Sequence, residues 1–134
     1  MSSKIRILIV DDHDEVRKGL RKLLSQEEDM KIVGESSNGR EALLDATLCS
    51  PDIILMDAKM PIAGGIEATN ILSENNDRCK VIMLTMFEEY VNEAIKNGAR
   101  GYLLKGAGVQ DLCQTIRDVY EGRIVIDERI GSRI

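Results

Sequence analysis

Apolar and polar positions along this chain alternate between two periods. Ile5-Arg6-Ile7-Leu8-Ile9-Val10 is a near-continuous β-branched run, the pattern of a strand buried on both faces. Val16, Leu20, Leu23 and Leu24 then recur at helical spacing, which predicts a helix from about Asp14 to Gln26. The alternation repeats: strand Lys31 to Gly34, a helix opened by Asn38-Gly39 that ends before Pro51, and a doubly buried strand Asp52 to Asp57. Gly64-Gly65 precede a helix carrying Ile66, Ala68 and Ile71-Leu72, and strand Lys80 to Thr85 follows. Tyr90, Val91, Ala94 and Ile95 mark a helix closed by Asn97-Gly98, then come strand Gly101 to Lys105 and a helix through Leu112, Cys113, Ile116, Val119 and Tyr120 to Gly122.

Strict β-α alternation through five units predicts a doubly wound α/β domain, a five-stranded parallel sheet in the flavodoxin-like order 2-1-3-4-5 with helices on both faces. The domain is expected over residues 1–122. Beyond it, Ile124-Val125-Ile126, the N-cap residue Asp127, and Ile126, Ile130 and Ile134 at every fourth position predict the start of a linker helix over 123–134.

Composition narrows the functions available. A net charge of −5 repels phosphate backbones, so this segment is not expected to bind nucleic acid by itself. No apolar run approaches a membrane span, and the first one stops at Asp11-Asp12, which excludes a signal peptide there. Cys49, Cys79 and Cys113 are odd in number and lack CxxC spacing, so they read as reduced core residues of a cytoplasmic protein.

The chemistry follows from what ends each strand. Ligands of open α/β sheets bind beyond the C-terminal strand ends. Here those ends carry Asp11-Asp12, Asp57, Thr85 and Lys105. Two like charges about 4 Å apart repel by roughly 4 kcal/mol at an effective dielectric near 20, so clustered carboxylates call for a cation. Carboxylate oxygens without soft ligands suit a hard ion, Mg²⁺. Asp57, at the tip of a rigid strand, is then a carboxylate nucleophile, with Thr85 and Lys105 placed to meet phosphoryl oxygens. The acidic turn Asp11-Asp12-His13-Asp14-Glu15 replaces the glycine-rich turn of nucleotide folds. His13, the lone histidine, reads as a local structural residue rather than a metal ligand.

Ile-Leu-Ile-Val-Asp11-Asp12-His13, Leu-Met-Asp57-Ala-Lys-Met-Pro61, Leu84-Thr85 and Gly101-Tyr102-Leu-Leu-Lys105 together resemble the receiver domains of two-component response regulators, most of all those with a C-terminal LuxR-type helix-turn-helix. The resemblance runs from about Ile5 to Gly122. It implies that Asp57 is the phosphoacceptor and that Mg²⁺ is bound by Asp12, by Asp11 through water, by Asp57 and by the backbone carbonyl of Lys59. It implies further that Thr85 and Lys105 contact the phosphoryl oxygens and that Tyr102 turns inward as Thr85 moves toward the phosphate. Such a chain catalyses its own phosphoryl transfer and dephosphorylation but is a signalling module rather than an enzyme. Its implied partners are a sensor histidine kinase, a second copy of itself on phosphorylation, and DNA through a C-terminal domain outside these residues. Four positions depart from the family pattern: Gly106 stands where proline is frequent, Gly64 where an acidic or polar residue is frequent, and Lys59 and Met86 flank the site with long side chains. Two rival functions fit the residues less well. An aspartate-nucleophile phosphatase of the haloacid dehalogenase type needs an Asp where Lys59 stands, and a stand-alone receiver would signal through protein contacts alone.

Overall fold

The computed structural model describes residues 3–58, 60, 64–75 and 79–131. The elements are β1 (Ile5–Val10), α1 (Asp14–Leu24), β2 (Met30–Ser36), α2 (Gly39–Cys49), β3 (Ile53–Met56), α3 (Gly65–Asn75), β4 (Lys80–Thr85), α4 (Val91–Lys96), β5 (Gly101–Leu104), α5 (Val109–Tyr120), β6 (Val125–Ile126) and α6 (Glu128–Gly131). All strand pairs are parallel, in the order β2-β1-β3-β4-β5-β6. The expected order 2-1-3-4-5 is present, and a sixth strand extends it.

The continuous apolar runs are explained by a sheet covered on both sides. Within β1, Ile5, Ile7 and Ile9 pack in one core with Ile53, Leu55, Ile82, Leu84 and Leu103, under Leu24 of α1 and Leu112, Ile116 and Val119 of α5. The intervening Leu8 and Val10 join Ile54, Met56, Val81, Met83 and Tyr102 in the opposite core, under Ala42 and Ala46 of α2, Ala68 and Leu72 of α3 and Ala94 of α4. Alternate residues thus face opposite layers, and apart from the half-buried Arg6 every position of β1 and β3 is buried.

Local caps agree with the sequence. Asn38, the N-cap residue, accepts the Glu41 N–H at 2.9 Å and satisfies an orphan donor of α2, while the Glu41 carboxylate reaches back to accept the Ser37 N–H at 2.8 Å. Ser50 takes a left-handed conformation (φ 49°) ahead of Pro51 and ends that helix.

The C-terminal segment differs from a helix leading away. Val125 and Ile126 pair with Gly101 and Tyr102 as β6, so the sheet includes residues past the expected boundary at 122. Asp127 caps α6 by accepting the Arg129 N–H at 3.0 Å, and Ile130 is buried in the same core as Tyr102. The physical reason is the open edge of β5, whose unpaired backbone groups are satisfied by even a two-residue strand. Ile134 of the expected helix lies outside the described residues.

Candidate functional site

Parallel strands bring their C-terminal ends to one sheet edge, and the loops that follow carry the polar residues. Asp11 leaves β1 with its N–H bonded to the Ser36 carbonyl at 3.1 Å, and Asp57 leaves β3 with its N–H on the Val10 carbonyl at 3.0 Å. The two carboxylates are therefore placed by backbone that continues the ladder, and both are buried. Lys105 follows β5 with its N–H on the Thr85 carbonyl at 2.7 Å.

The side chains converge. Lys105 Nζ lies 2.6 Å from Asp11 Oδ2 and 3.3 Å from Asp57 Oδ2, so one ammonium bridges both acids. Burial pulls the Lys105 pKa down, but its hydrogen bond to Asp11 and the charges of Asp57 and Asp11 outweigh this and leave it raised. Lys105 is accordingly a fixed positive charge at neutral pH.

His13 closes the other side of Asp11. Its N–H donates to Asp11 Oδ1 at 2.9 Å, and its Nδ1 lies 3.1 Å from Oδ1 of both Asp11 and Asp12. His13 is the N-cap residue of α1, with extended backbone ahead of the helix. Arg17, one turn into α1, donates to the Asp11 carbonyl and sits 3.3 Å from Glu35, which anchors the acidic loop from below.

The donor set fits a divalent cation. Asp11, Asp12, His13 and Asp57 each offer one ligand atom, and all of these lie within 4.8 Å of one another. Oδ1 of Asp12 is sealed from solvent without a hydrogen bond, since His13 Nδ1 is near but not aligned. A buried carboxylate oxygen left without a donor is costly unless a cation takes it. Lys59, whose carbonyl was expected to join the set, lies outside the described residues, as does Pro61.

Thr85 and Tyr102 meet through one intermediary. The fully buried Thr85 accepts the Phe87 N–H at 3.4 Å, and the fully buried Tyr102 donates its O–H to the Phe87 carbonyl. Tyr102 is thus inward, with burial pushing its phenol up to about 12. Phe87 also packs edge-on against Tyr90 at 5.8 Å. Asp12, His13, Asp57, Met60, Met86, Phe87 and Lys105 line a cleft of about 430 Å³ that opens on the acids. Gly106, where proline is frequent in receivers, has φ +95°, and no cis peptide bond occurs among the described residues.

The strand-end pattern did not reveal three contributors. Gly65 passes directly beneath Asp57: a Cβ there would lie 1.9 Å from the Asp57 carbonyl oxygen. Its only trace in the sequence is the Gly64-Gly65 pair. Arg17 and the backbone of Phe87 are the other two, and neither carries a spacing signal.

Comparison with known proteins agrees with this arrangement. The family model for the response regulator receiver domain matches residues 7–117. Response regulator GacA of Pseudomonas protegens is 40% identical over 132 residues, covering 97% of this chain and 62% of GacA. Transcriptional regulatory protein LnrK of Bacillus subtilis is 36% identical over 132 residues, covering 97% of this chain and 60% of LnrK. The chain therefore spans about three fifths of the length of these relatives. A crystal structure of a LuxR-family two-component response regulator from Aurantimonas sp. SI85-9A1 superposes with a TM-score of 0.91 at 32% identity, covering 97% of this chain and 94% of that one. With its parallel sheet, its acidic edge and these matches, the chain belongs to the response regulator receiver domain family.

Proposed function

We infer that Asp57 is the phosphoacceptor of this receiver, taking a phosphoryl group from the phosphohistidine of a sensor histidine kinase. The observation that carries the reading is the bridge of Lys105 Nζ to Asp11 at 2.6 Å and to Asp57 at 3.3 Å, at the floor of the cleft. An Asp57 oxygen attacks phosphorus in line, the P–N bond to the kinase imidazole breaks, and its electron pair leaves with the imidazole. Lys105 stands ready to shift from the carboxylate to a phosphoryl oxygen, where its charge is most needed. Mg²⁺, held by Asp12, Asp57 and the Lys59 carbonyl with Asp11 through water, would offset the negative charge that carboxylates and phosphoryl group bring together. Hydrolysis of the aspartyl phosphate at the same site resets the signal.

Thr85 supplies the switch. Moving its hydroxyl toward a phosphoryl oxygen releases the Phe87 N–H, and Phe87 also holds the Tyr102 hydroxyl. Repacking of α4, β5 and α5 follows, and a bias of a few kcal/mol between two states is enough. The name of LnrK and the extra length of both relatives support an output domain that binds DNA, with phosphorylated chains pairing as homodimers and acting in the cytoplasm. Among the described residues no helix is long and apolar enough to cross a membrane.

Incubation with acetyl phosphate and Mg²⁺, followed by peptide mass spectrometry, tests the reading. One phosphoryl group on Asp57, absent from Asp57→Asn and suppressed by excess EDTA, is the expected result. Equal labelling of Asp57→Asn, or labelling indifferent to EDTA, rules it out.

A further inference from the structure

Leu104 ends β5 and immediately precedes Lys105. In a parallel ladder, successive residues address opposite neighbours, so Lys105 N–H turns to Thr85 on β4 while Leu104 turns to the β6 side. β6, however, has only two residues, paired as Gly101 with Val125 and Tyr102 with Ile126. The ladder runs one step further, through Asp127 N–H to the Tyr102 carbonyl at 2.8 Å, and then the backbone departs into α6.

Side chains take over where the strand stops. Asp127 Oδ2 accepts the Leu104 N–H at 3.0 Å, and Arg129 Nη2 donates to the Leu104 carbonyl at 3.4 Å. The two residues brace each other through Nε to Oδ1 at 3.0 Å and Nη2 to Oδ2 at 2.7 Å. Asp127 is only 6% exposed, and a buried carboxylate is costly unless its partners are well placed. Asp127 thus holds the N–H of the residue before Lys105, and Arg129 shares its carbonyl with the Ala107 N–H, which lies closer at 3.1 Å.

This grip bears on the site because the lysine side chain is long and flexible, with several rotatable bonds between backbone and ammonium. Its ammonium can be held between Asp11 and Asp57 only if its backbone stem is fixed. We propose that Asp127 and Arg129 are positioning residues for Lys105, so that phosphoryl transfer at Asp57 depends on the docking of the β6–α6 segment. The inference rests on the roles of Asp57 and Lys105 given above.

The test uses the whole chain with acetyl phosphate and Mg²⁺, reading the initial rate of Asp57 phosphorylation and the lifetime of the product. Lys105→Ala, Asp127→Ala, Arg129→Ala and the Lys105→Ala/Asp127→Ala double variant are compared, with urea unfolding to show that each is folded. Asp127→Ala and Arg129→Ala are expected to slow the rate by about 5- to 100-fold, the range for misplacing a group that acts at a distance. In the Lys105→Ala background, Asp127→Ala should add nothing to the rate while still lowering stability. A purely structural ion pair would lower stability in both backgrounds and leave the rate alone, and that overturns the inference. So does a rate loss of equal size in both backgrounds. Should Asp127→Ala not fold, Arg129→Ala, altered at a half-exposed side chain, decides by its rate. If Lys105→Ala itself leaves rate and lifetime unchanged, the role of Lys105 falls and the positioning role with it. If Lys105→Ala is slow but the other variants are not, the positioning role alone is wrong.

Discussion

Gly65 runs so close beneath Asp57 that a Cβ on it would stand 1.9 Å from the Asp57 carbonyl oxygen and 2.9 Å from the carbonyl carbon. The obstacle is backbone, which cannot swing aside as a side-chain tip can. Gly65 N–H also bonds the Ala58 carbonyl at 3.1 Å, and Thr69 Oγ1 bonds the Gly65 carbonyl at 2.6 Å, so the start of α3 is pinned. Gly65→Ala should cost at least about 1–3 kcal/mol of stability, the usual range for overpacking, and should displace Asp57. Urea unfolding together with the acetyl phosphate rate reads both effects. A variant as stable and as reactive as the wild type would contradict the packing.

Tyr102→Phe removes the hydroxyl that reaches Phe87 and nothing of the ring. The loss of one hydrogen bond should cost about 0.5–1.5 kcal/mol. Asp57 should still be phosphorylated at nearly the wild-type rate, because the Tyr102 hydroxyl is bonded to the Phe87 carbonyl and not to the acids' bridging lysine. Chemical-shift changes on adding beryllofluoride should reach α4 and β5 in the wild type. In Thr85→Ala they should stay near the loops of Asp12 and Asp57.

Acid should loosen the C-terminal segment through Asp127. Its hydrogen bond to Arg129 leads the effects that hold its carboxyl down at about 2, against the ordinary value near 3.8. A group with a depressed folded-state pKa stabilises the folded chain above its unfolded value, and that stability is lost as pH falls through the folded one. Wild type should therefore lose stability between about pH 4 and 2 more steeply than Asp127→Asn, which has no carboxylate to protonate. Urea midpoints at several pH values test this; parallel curves would show that the Asp127 pairing contributes nothing.

The cysteines should differ in reactivity. Cys79 is buried, and burial pushes its thiol up to about 12, while Cys49 is only partly covered. The thiolate is the reactive form, so iodoacetamide at pH 8 should label Cys49 well before Cys79 in the folded chain. Mass spectrometry of timed samples reads the order, and equal labelling would place Cys79 nearer the surface.

Much of the site could be read from strand ends because of one geometric property of parallel sheets. All strands point the same way, so Asp11, Asp57, Thr85 and Lys105, each at the close of its own apolar run, must share an edge. The same logic yields the layer order, since apolar runs without alternation imply helices on both faces. Distances along the chain suffice for such inferences. They do not suffice where a contact depends on how two elements pack. Gly65 is 8 positions after Asp57, yet only the path of α3 against β3 brings it under that carbonyl. β6 is two residues long, too short for any period to show, and it forms because β5 leaves an edge to pair. The Asp127–Arg129 grip on Leu104 spans more than twenty positions and has no motif. Hydrophobic period and strand polarity are local and therefore written along the chain, whereas close approach and edge completion arise from the three-dimensional path and appear only once the layers have packed.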